Sequence, residues 1–471
     1  MSRGGENVFH IASASIAKLR STRRRRLYTA LIASTALAIA GGTVAVVGVA
    51  SAGAKAAAKP LTVWIDTSRV PYEKAYMKAN PHANIKWVIY NGNENGTGVL
   101  QSKFALWNRT GWPSDAPDVM FDSQNYDAVQ LGTAPYNDLL NLKSYVPKKV
   151  LNGFAGTSMS GCTTPSGQIV CLRNDSAAEV LWVNPTLYSQ FFGNAPIPTT
   201  WSAFLADGTA LNTAHPGYLI GSVGDGFSID DYFLWANECP LDQVTGKGQI
   251  EINPSSSNCT QIMNAIDASG DVGKSLSDES IFSVDPQKIV MAVGALWEGT
   301  AVFQTGAAGG VPNGTMVAYP APVATNGAKV TGDLGGGLWL VSKHSPNPKA
   351  AAALAQYMAT SPNIQKVGVD SGLPQYVADQ AKYVSSLATV FGDPSETEAT
   401  WKSAAASVWN GWSPVPWSTD GVWASTNLAA VTGNPPAKMA SQLLPYAEAL
   451  ANQARLAGYT VKSPVSAVSN P

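Results

Sequence analysis

Charge is scarce in this chain of 471 residues: Asp, Glu, Lys and Arg make up 13%, about half of the roughly 25% usual in soluble proteins. Histidine is scarcer still, only His10, His82, His215 and His344, and cysteine occurs four times. Without a Cys-x-x-Cys pair or closely spaced histidines, no zinc or other metal site is expected. The one glycine cluster, residues 332–337, lacks the lysine and helix start of a phosphate cradle. No Gly-x-Ser-x-Gly elbow and no plausible Ser/His/Asp set is present, and residues 267–279 lack the spacing of a calcium loop. There is no internal repeat and no heptad run. Nothing here implies a cofactor or a catalytic centre.

What the chain does have is apolar and aromatic mass: 45% hydrophobic residues, 14 Trp and 16 Tyr, with 43 Gly and 30 Pro to shape loops. That is ample for a sizeable core, and it suits a loop-rich mixed α/β protein outside the cytoplasm. The net charge of −1 hides an asymmetry, because residues 1–52 hold seven Arg or Lys and one acid, leaving the remainder at about −7. A mildly acidic body offers no basic field to a polyphosphate, so nucleic acid is not an expected partner.

The basic residues Arg23 to Arg26 precede an apolar run from 27 to 52 that ends in Ala50-Ser51-Ala52. This is the order of an export signal with a small-x-small cleavage site. The same 26 residues are long enough for an uncleaved anchor, and the Ala/Gly/Thr-rich composition favours cleavage. No cysteine lies near the cleavage point, so a lipid-anchored form is not expected. In an exported chain, the even set Cys162, Cys171, Cys239 and Cys259 favours disulfides. Pairing of sequence neighbours, 162 with 171 and 239 with 259, is the simplest of three connectivities.

Beyond a small-residue linker at 53–60, strands and helices alternate. Residues 61–65, 85–89 and about 116–122 read as short apolar strands, with helices at 72–79 and from about 99 to 108. The pattern resumes with a strand at 179–184 and helices at 185–191, after Thr200 as N-cap, at 258–268 and at 285–293. A hairpin at 244–252, a strand at 338–341, a helix at 348–358 and a helical C-terminal third follow. The third is interrupted by a loop carrying Trp409, Trp412, Trp417 and Trp423. Such alternation predicts open, largely parallel sheets flanked by helices.

Six segments, in order, resemble the maltodextrin-binding class of extracellular solute-binding proteins. They are Tyr72-Glu73-Lys74-Ala75 through Pro81, Ala116-Pro117-Asp118-Val119-Met120-Phe121, Leu181-Trp182-Val183-Asn184 through Tyr188, Ile197-Pro198-Thr199-Thr200-Trp201, Val290 to Trp297, and Gly335-Gly336-Gly337-Leu338 through Ser345. The resemblance covers nearly all of 60–460. It implies a two-lobed periplasmic-binding-protein-like α/β fold with three hinge crossings, near 173–176, 321–323 and 373–375. One lobe would hold 61–174 with 324–372, the other 175–322 with 375–460, and 461–471 would be a tail. The implied role is receptor of an ABC import permease, exported to the periplasmic or extracellular face and monomeric. Its ligand would be a small polar molecule, a mono- or oligosaccharide. A secreted glycoside hydrolase and a surface sensor or adhesin are the alternatives.

A sugar presents a C–H-rich face to aromatic rings and hydroxyls to fixed polar groups. On that chemistry, the candidates at first-lobe strand ends are Trp64, Asp66, Asp122, Asn125 and Tyr126, where open α/β sheets place ligand groups. Asn93 and Glu94 in the following turn, Asp175 at the hinge and Trp235 in an aromatic stretch join them. Trp297 matches the family's stacking position, Gly336 and Gly337 would admit close backbone approach, and Trp412 represents the tryptophan-rich loop. Each has a plainer alternative as core, cap or solvated loop.

Overall fold

The computed structural model describes residues 59–91, 99–124, 126–156, 158–224, 230–246, 248–270, 278–280, 285–304, 311–367, 371–391 and 394–469. The expected signal or anchor at 1–52, most of the linker, and the candidates Asn93, Glu94 and Asn125 lie outside them. Among the described residues, no helix is long and apolar enough to cross a membrane.

Two five-stranded sheets carry the fold. In the first, Leu61–Ile65 pairs parallel with Ile85–Ile89 and Val119–Asp122, and Leu338–Val341 runs antiparallel between Val119–Asp122 and Cys171–Arg173. In the second, Leu219–Gly224 runs parallel with Asp278–Ser280 and Ile289–Ala295, and Glu179–Val183 lies antiparallel to Ile289–Ala295 and Val317–Pro320. The inner strands Val119–Asp122, Leu338–Val341, Glu179–Val183 and Ile289–Ala295 are buried on both faces, and side-chain alternation sorts their residues. Val119, Phe121, Trp339 and Val341 enter one core of the first lobe, while Met120, Leu338 and Leu340 enter the other. Leu181 and Val183 likewise face one core of the second lobe, and Val180 and Trp182 the other.

The helix ends follow local chemistry. The helix Val70–Ala79 stops at Asn80, ahead of Pro81, because a residue preceding proline resists helical ψ. Thr200 caps Trp201–Ala214, its hydroxyl accepting from the Ala203 N–H at 3.2 Å. The disulfides join Cys162 to Cys171 and Cys239 to Cys259.

Three expectations are corrected. Residues 285–293 are not a helix: a short 3₁₀ turn, Pro286–Lys288, leads into the strand Ile289–Ala295, all seven residues of which are buried. A strand covered on both faces reads as a continuous apolar run, which periodicity cannot separate from a buried helix. The crossing placed at 321–323 comes later. Val323 still bridges Thr200, the Thr325 N–H donates to Asn237 Oδ1 at 2.8 Å, and Thr331 bridges Val408. Only at Asp333, which bridges Ala178, and Gly337, whose carbonyl accepts from Asn174, does the chain cross. Pro320 ends the edge strand Val317–Pro320, where a missing donor is tolerated. Finally, the expected tail begins as part of the strand Thr460–Lys462, which pairs with Gln249–Glu251. Val468 beyond it is buried.

Candidate ligand-binding cleft

The segment Asp175–Ser176 pairs antiparallel with Leu373–Pro374, forming a small two-stranded ribbon between the sheets. Two carboxylates knot the crossings at this ribbon. Asp175 accepts from the Gly337 N–H at 2.8 Å, the Gly372 N–H at 2.6 Å and Asn174 Nδ2 at 3.0 Å. Asp333 accepts from the Ala177 N–H at 2.8 Å and from Arg173 Nη2 at 3.2 Å. Burial raises the Asp333 carboxyl above its ordinary range, with the Arg173 guanidinium opposing. Gly336, at φ +85°, is where Arg173 and the Asp175 carbonyl close in: a Cβ there would meet Arg173 Nη2 at 2.3 Å.

A cavity of about 780 Å³ opens beside this ribbon, inside the range of about 300–1,000 Å³ typical of small-molecule sites. Arg173, Ser176, Asp333 and Gln375 border it at or beside the ribbon, Tyr126, Ser158 and Ser160 on the side of the first sheet, and Trp235, Asp242, Trp409, Trp412 and Trp417 on the side of the second. Trp235 and Trp412 stack with centroids 5.1 Å apart at 23°. Their indole N–H groups are anchored, Trp235 to the Trp409 carbonyl at 2.7 Å and Trp412 to the Cys239 carbonyl at 2.6 Å. The Cys239–Cys259 disulfide thus sits directly behind the aromatic wall. Tyr126 is within hydrogen-bonding reach of Ser418 on the opposite side, and burial, then the neighbouring Asp127, pushes its phenol well up.

Of the residues expected at a site, Tyr126, Trp235 and Trp412 therefore meet at one cavity. The other candidates among the described residues do not border it. Trp64 stacks on Tyr90 at 4.4 Å and meets Trp107 edge-on at 5.9 Å. Asp66 caps a 3₁₀ turn by accepting from the Arg69 N–H at 2.9 Å, with an ion pair to Arg69. Asp122 is fully buried and accepts from the Gln124 N–H at 2.9 Å. Burial pushes it up to about 7, partly offset by a hydrogen bond with Asp127. Asp175 is the hinge knot described above. Trp297 packs against both second-lobe cores and donates to the Leu334 carbonyl at 3.1 Å. The openness of Gly336 and Gly337 serves protein neighbours: a Cβ at Gly337 would strike Phe121 at 2.4 Å.

The cavity also recruits Arg173, Asp242, Asp333 and Gln375, which sequence reading did not single out. Their common signal is proximity to the hinge or to the tryptophan loop, and only the assembled fold brings those segments together. Trp423, by contrast, is fully buried and stands edge-on to Tyr446 at 5.1 Å.

The family model of bacterial extracellular solute-binding proteins matches residues 61–365. This chain belongs to that family. Solved structures agree with this solute-binding protein in fold at low identity. The ABC-transporter-associated binding protein of B. animalis subsp. lactis Bl-04, in complex with beta-1,6-galactobiose, superposes with a TM-score of 0.69 at 18% identity, over 86% of this chain and 99% of that one. The galacto-N-biose-/lacto-N-biose I-binding protein of Bifidobacterium longum gives 0.66 at 17%, covering 86% and 98%. Maltose-bound MalE3 of T. maritima gives 0.64 at 14%, covering 84% and 100%. No curated protein sequence matches. By family the chain is accordingly an extracellular solute-binding protein, and its two-sheet fold is that of these solved structures.

Proposed function

We propose that this solute-binding protein captures a mono- or oligosaccharide in the hinge cavity and presents it to an ABC import permease. The observation that carries the reading is the stacked pair Trp235 and Trp412, whose indole N–H groups are both committed to main-chain carbonyls. A tryptophan fixed in this way offers a rigid apolar face at little entropic cost, suited to the C–H face of a sugar ring. Hinge groups such as Gln375 and Ser176 supply hydrogen bonds for hydroxyls. The structural neighbours that bind galactobiose, lacto-N-biose and maltose support the same class.

Closure follows from ligand touching both walls, because a ligand shifts a two-state equilibrium only by its differential affinity. The three crossings at 173–176, 332–337 and 372–375 are the axis of that motion, and Tyr126 facing Ser418 is a lobe-to-lobe contact it would tighten. The basic and apolar N-terminal stretch directs export, after which a soluble monomer, or one tethered by that stretch, works outside the membrane. A thermal-shift screen against mono- and oligosaccharides tests the reading. A ligand at 100 times its Kd should stabilise the fold by about 2.7 kcal/mol. Saturable stabilisation by one sugar class, with the sugar recovered intact, supports the receptor role, and steady breakdown of the sugar would sink it.

A further inference from the structure

Of the carboxylates in the described lining, Asp242 is the unpaired one, and Trp417 Nε1, Ser158 Oγ and Arg173 Nε are other buried lining atoms without a partner. The residue is 1% exposed, and neither carboxylate oxygen has a hydrogen-bond partner. Burial alone drives its carboxyl well above the usual range. The surrounding frame is well tied: the Ser413 N–H donates to the Asp242 carbonyl at 2.8 Å, and the Val244 N–H donates to Ser413 Oγ at 2.9 Å. Trp417, also on the cavity wall, has a buried indole N–H without a partner. It stands edge-on to Tyr459 at 5.8 Å, and Tyr459 is close enough to Asp242 to feel its charge. Folded proteins rarely leave buried polar atoms unmet, so two at one wall point to a partner that comes from outside.

The other charged residues of the lining are already engaged, Arg173 with Asp333 at 3.2 Å and Lys402 with Glu398. The described lining thus holds no unpaired cation to receive an anionic ligand, and one unpaired carboxyl. The chemistry of the pair narrows the ligand further. A carboxyl that keeps its proton both accepts and donates, and an indole N–H donates, so together they suit a neutral group that does both. An alcohol does both, whereas an ammonium only donates.

Resting on the carbohydrate reading, we infer that Asp242 and Trp417 form the second-lobe recognition end of the cavity, bind a sugar hydroxyl once the Asp242 side chain rotates inward, and select neutral sugars over uronates and sugar phosphates. The test is calorimetry on the full chain with maltose, galactobiose and mannotriose, beside a glucosamine disaccharide and digalacturonate. A neutral sugar should bind and digalacturonate should not. Asp242→Ala should weaken the neutral sugar by about tenfold or more, and Asp242→Asn, which keeps an acceptor oxygen, should recover part of that loss. Trp417→Phe, lacking only the N–H and some ring area, carries the test if the alanine variant fails to fold. Wild-type affinity in both Asp242→Ala and Trp417→Phe overturns this inference alone, as does binding of digalacturonate as tight as that of a neutral sugar. Preference for the glucosamine disaccharide, with no recovery in Asp242→Asn, overturns the hydroxyl assignment in favour of an ammonium. If the wild type binds none of the sugars, the carbohydrate reading fails and this inference fails with it.

Discussion

Replacing Asp175 tests how much one of the two carboxylates at the ribbon holds its neighbouring segments together. Its carboxylate accepts from the Gly337 N–H at 2.8 Å and the Gly372 N–H at 2.6 Å, and the residue is 1% exposed. Asp175→Ala leaves both amides without an acceptor in a place water does not reach. An orphaned buried polar group costs about 1–3 kcal/mol, so the expected loss is about 2–6 kcal/mol. Asp175→Asn keeps one acceptor oxygen and turns an NH₂ toward the other amide, so it should recover about half of that at most. Urea unfolding followed by tryptophan fluorescence reads the difference as a lower midpoint at unchanged slope. A loss below about 1 kcal/mol in the alanine variant would refute the knot. So would an asparagine variant less stable than the alanine one, because it would mean that the oxygen positions are not what matters.

Gly336→Ala should destabilise by about 1–3 kcal/mol, since φ +85° disfavours a side chain and the new Cβ would meet Arg173 Nη2 at 2.3 Å; a thermal melt reads it. Asp122 titrates near 7 in the folded protein because it is buried, against about 4 for an unfolded aspartate. The folded state therefore keeps a proton that the unfolded chain has released. The stability this group contributes is full below about pH 4 and lost as pH rises through about 7, so Asp122→Asn should flatten the pH dependence of the melting temperature across that window. Removing the Cys239–Cys259 bridge, which spans 20 residues, should cost about 3 kcal/mol. Because Trp412 is tied to the Cys239 carbonyl, ligand affinity measured by calorimetry should fall as well.

Much of the fold was legible because the strands carry two-sided apolar runs and the helices carry their stop signals locally, as at Asn80-Pro81 and Thr200. The strand at 289–295 was misread for the same physical reason that makes it central: it is apolar on every side, so no periodicity survives. The cleft was less legible. Trp235 and Trp412 announce themselves as aromatics, and Tyr126 follows a strand end. Asp242, however, sits among Pro240, Leu241 and Gln243 like any loop acid, and only its lack of partners in the folded wall distinguishes it. Arg173 and Asp333 are 160 positions apart, a distance at which one sequence gives no hint of pairing. Asp66 and Asp175 illustrate the converse, where a carboxylate near a strand end is consumed by backbone amides before any ligand could use it.

The reversed strand Leu338–Val341 lies between Val119–Asp122 and Cys171–Arg173, so the first lobe receives a middle strand only after the chain has run through most of the second. Synthesis delivers residues in order, and a chain stopped short of Leu338 would hold two strands with open edges facing an empty lane. Open edges of that kind invite pairing with other molecules. The first lobe is thus withheld from completion by its own threading. A truncation or a long pause anywhere before residue 338 should yield aggregates rather than a half-sized soluble domain.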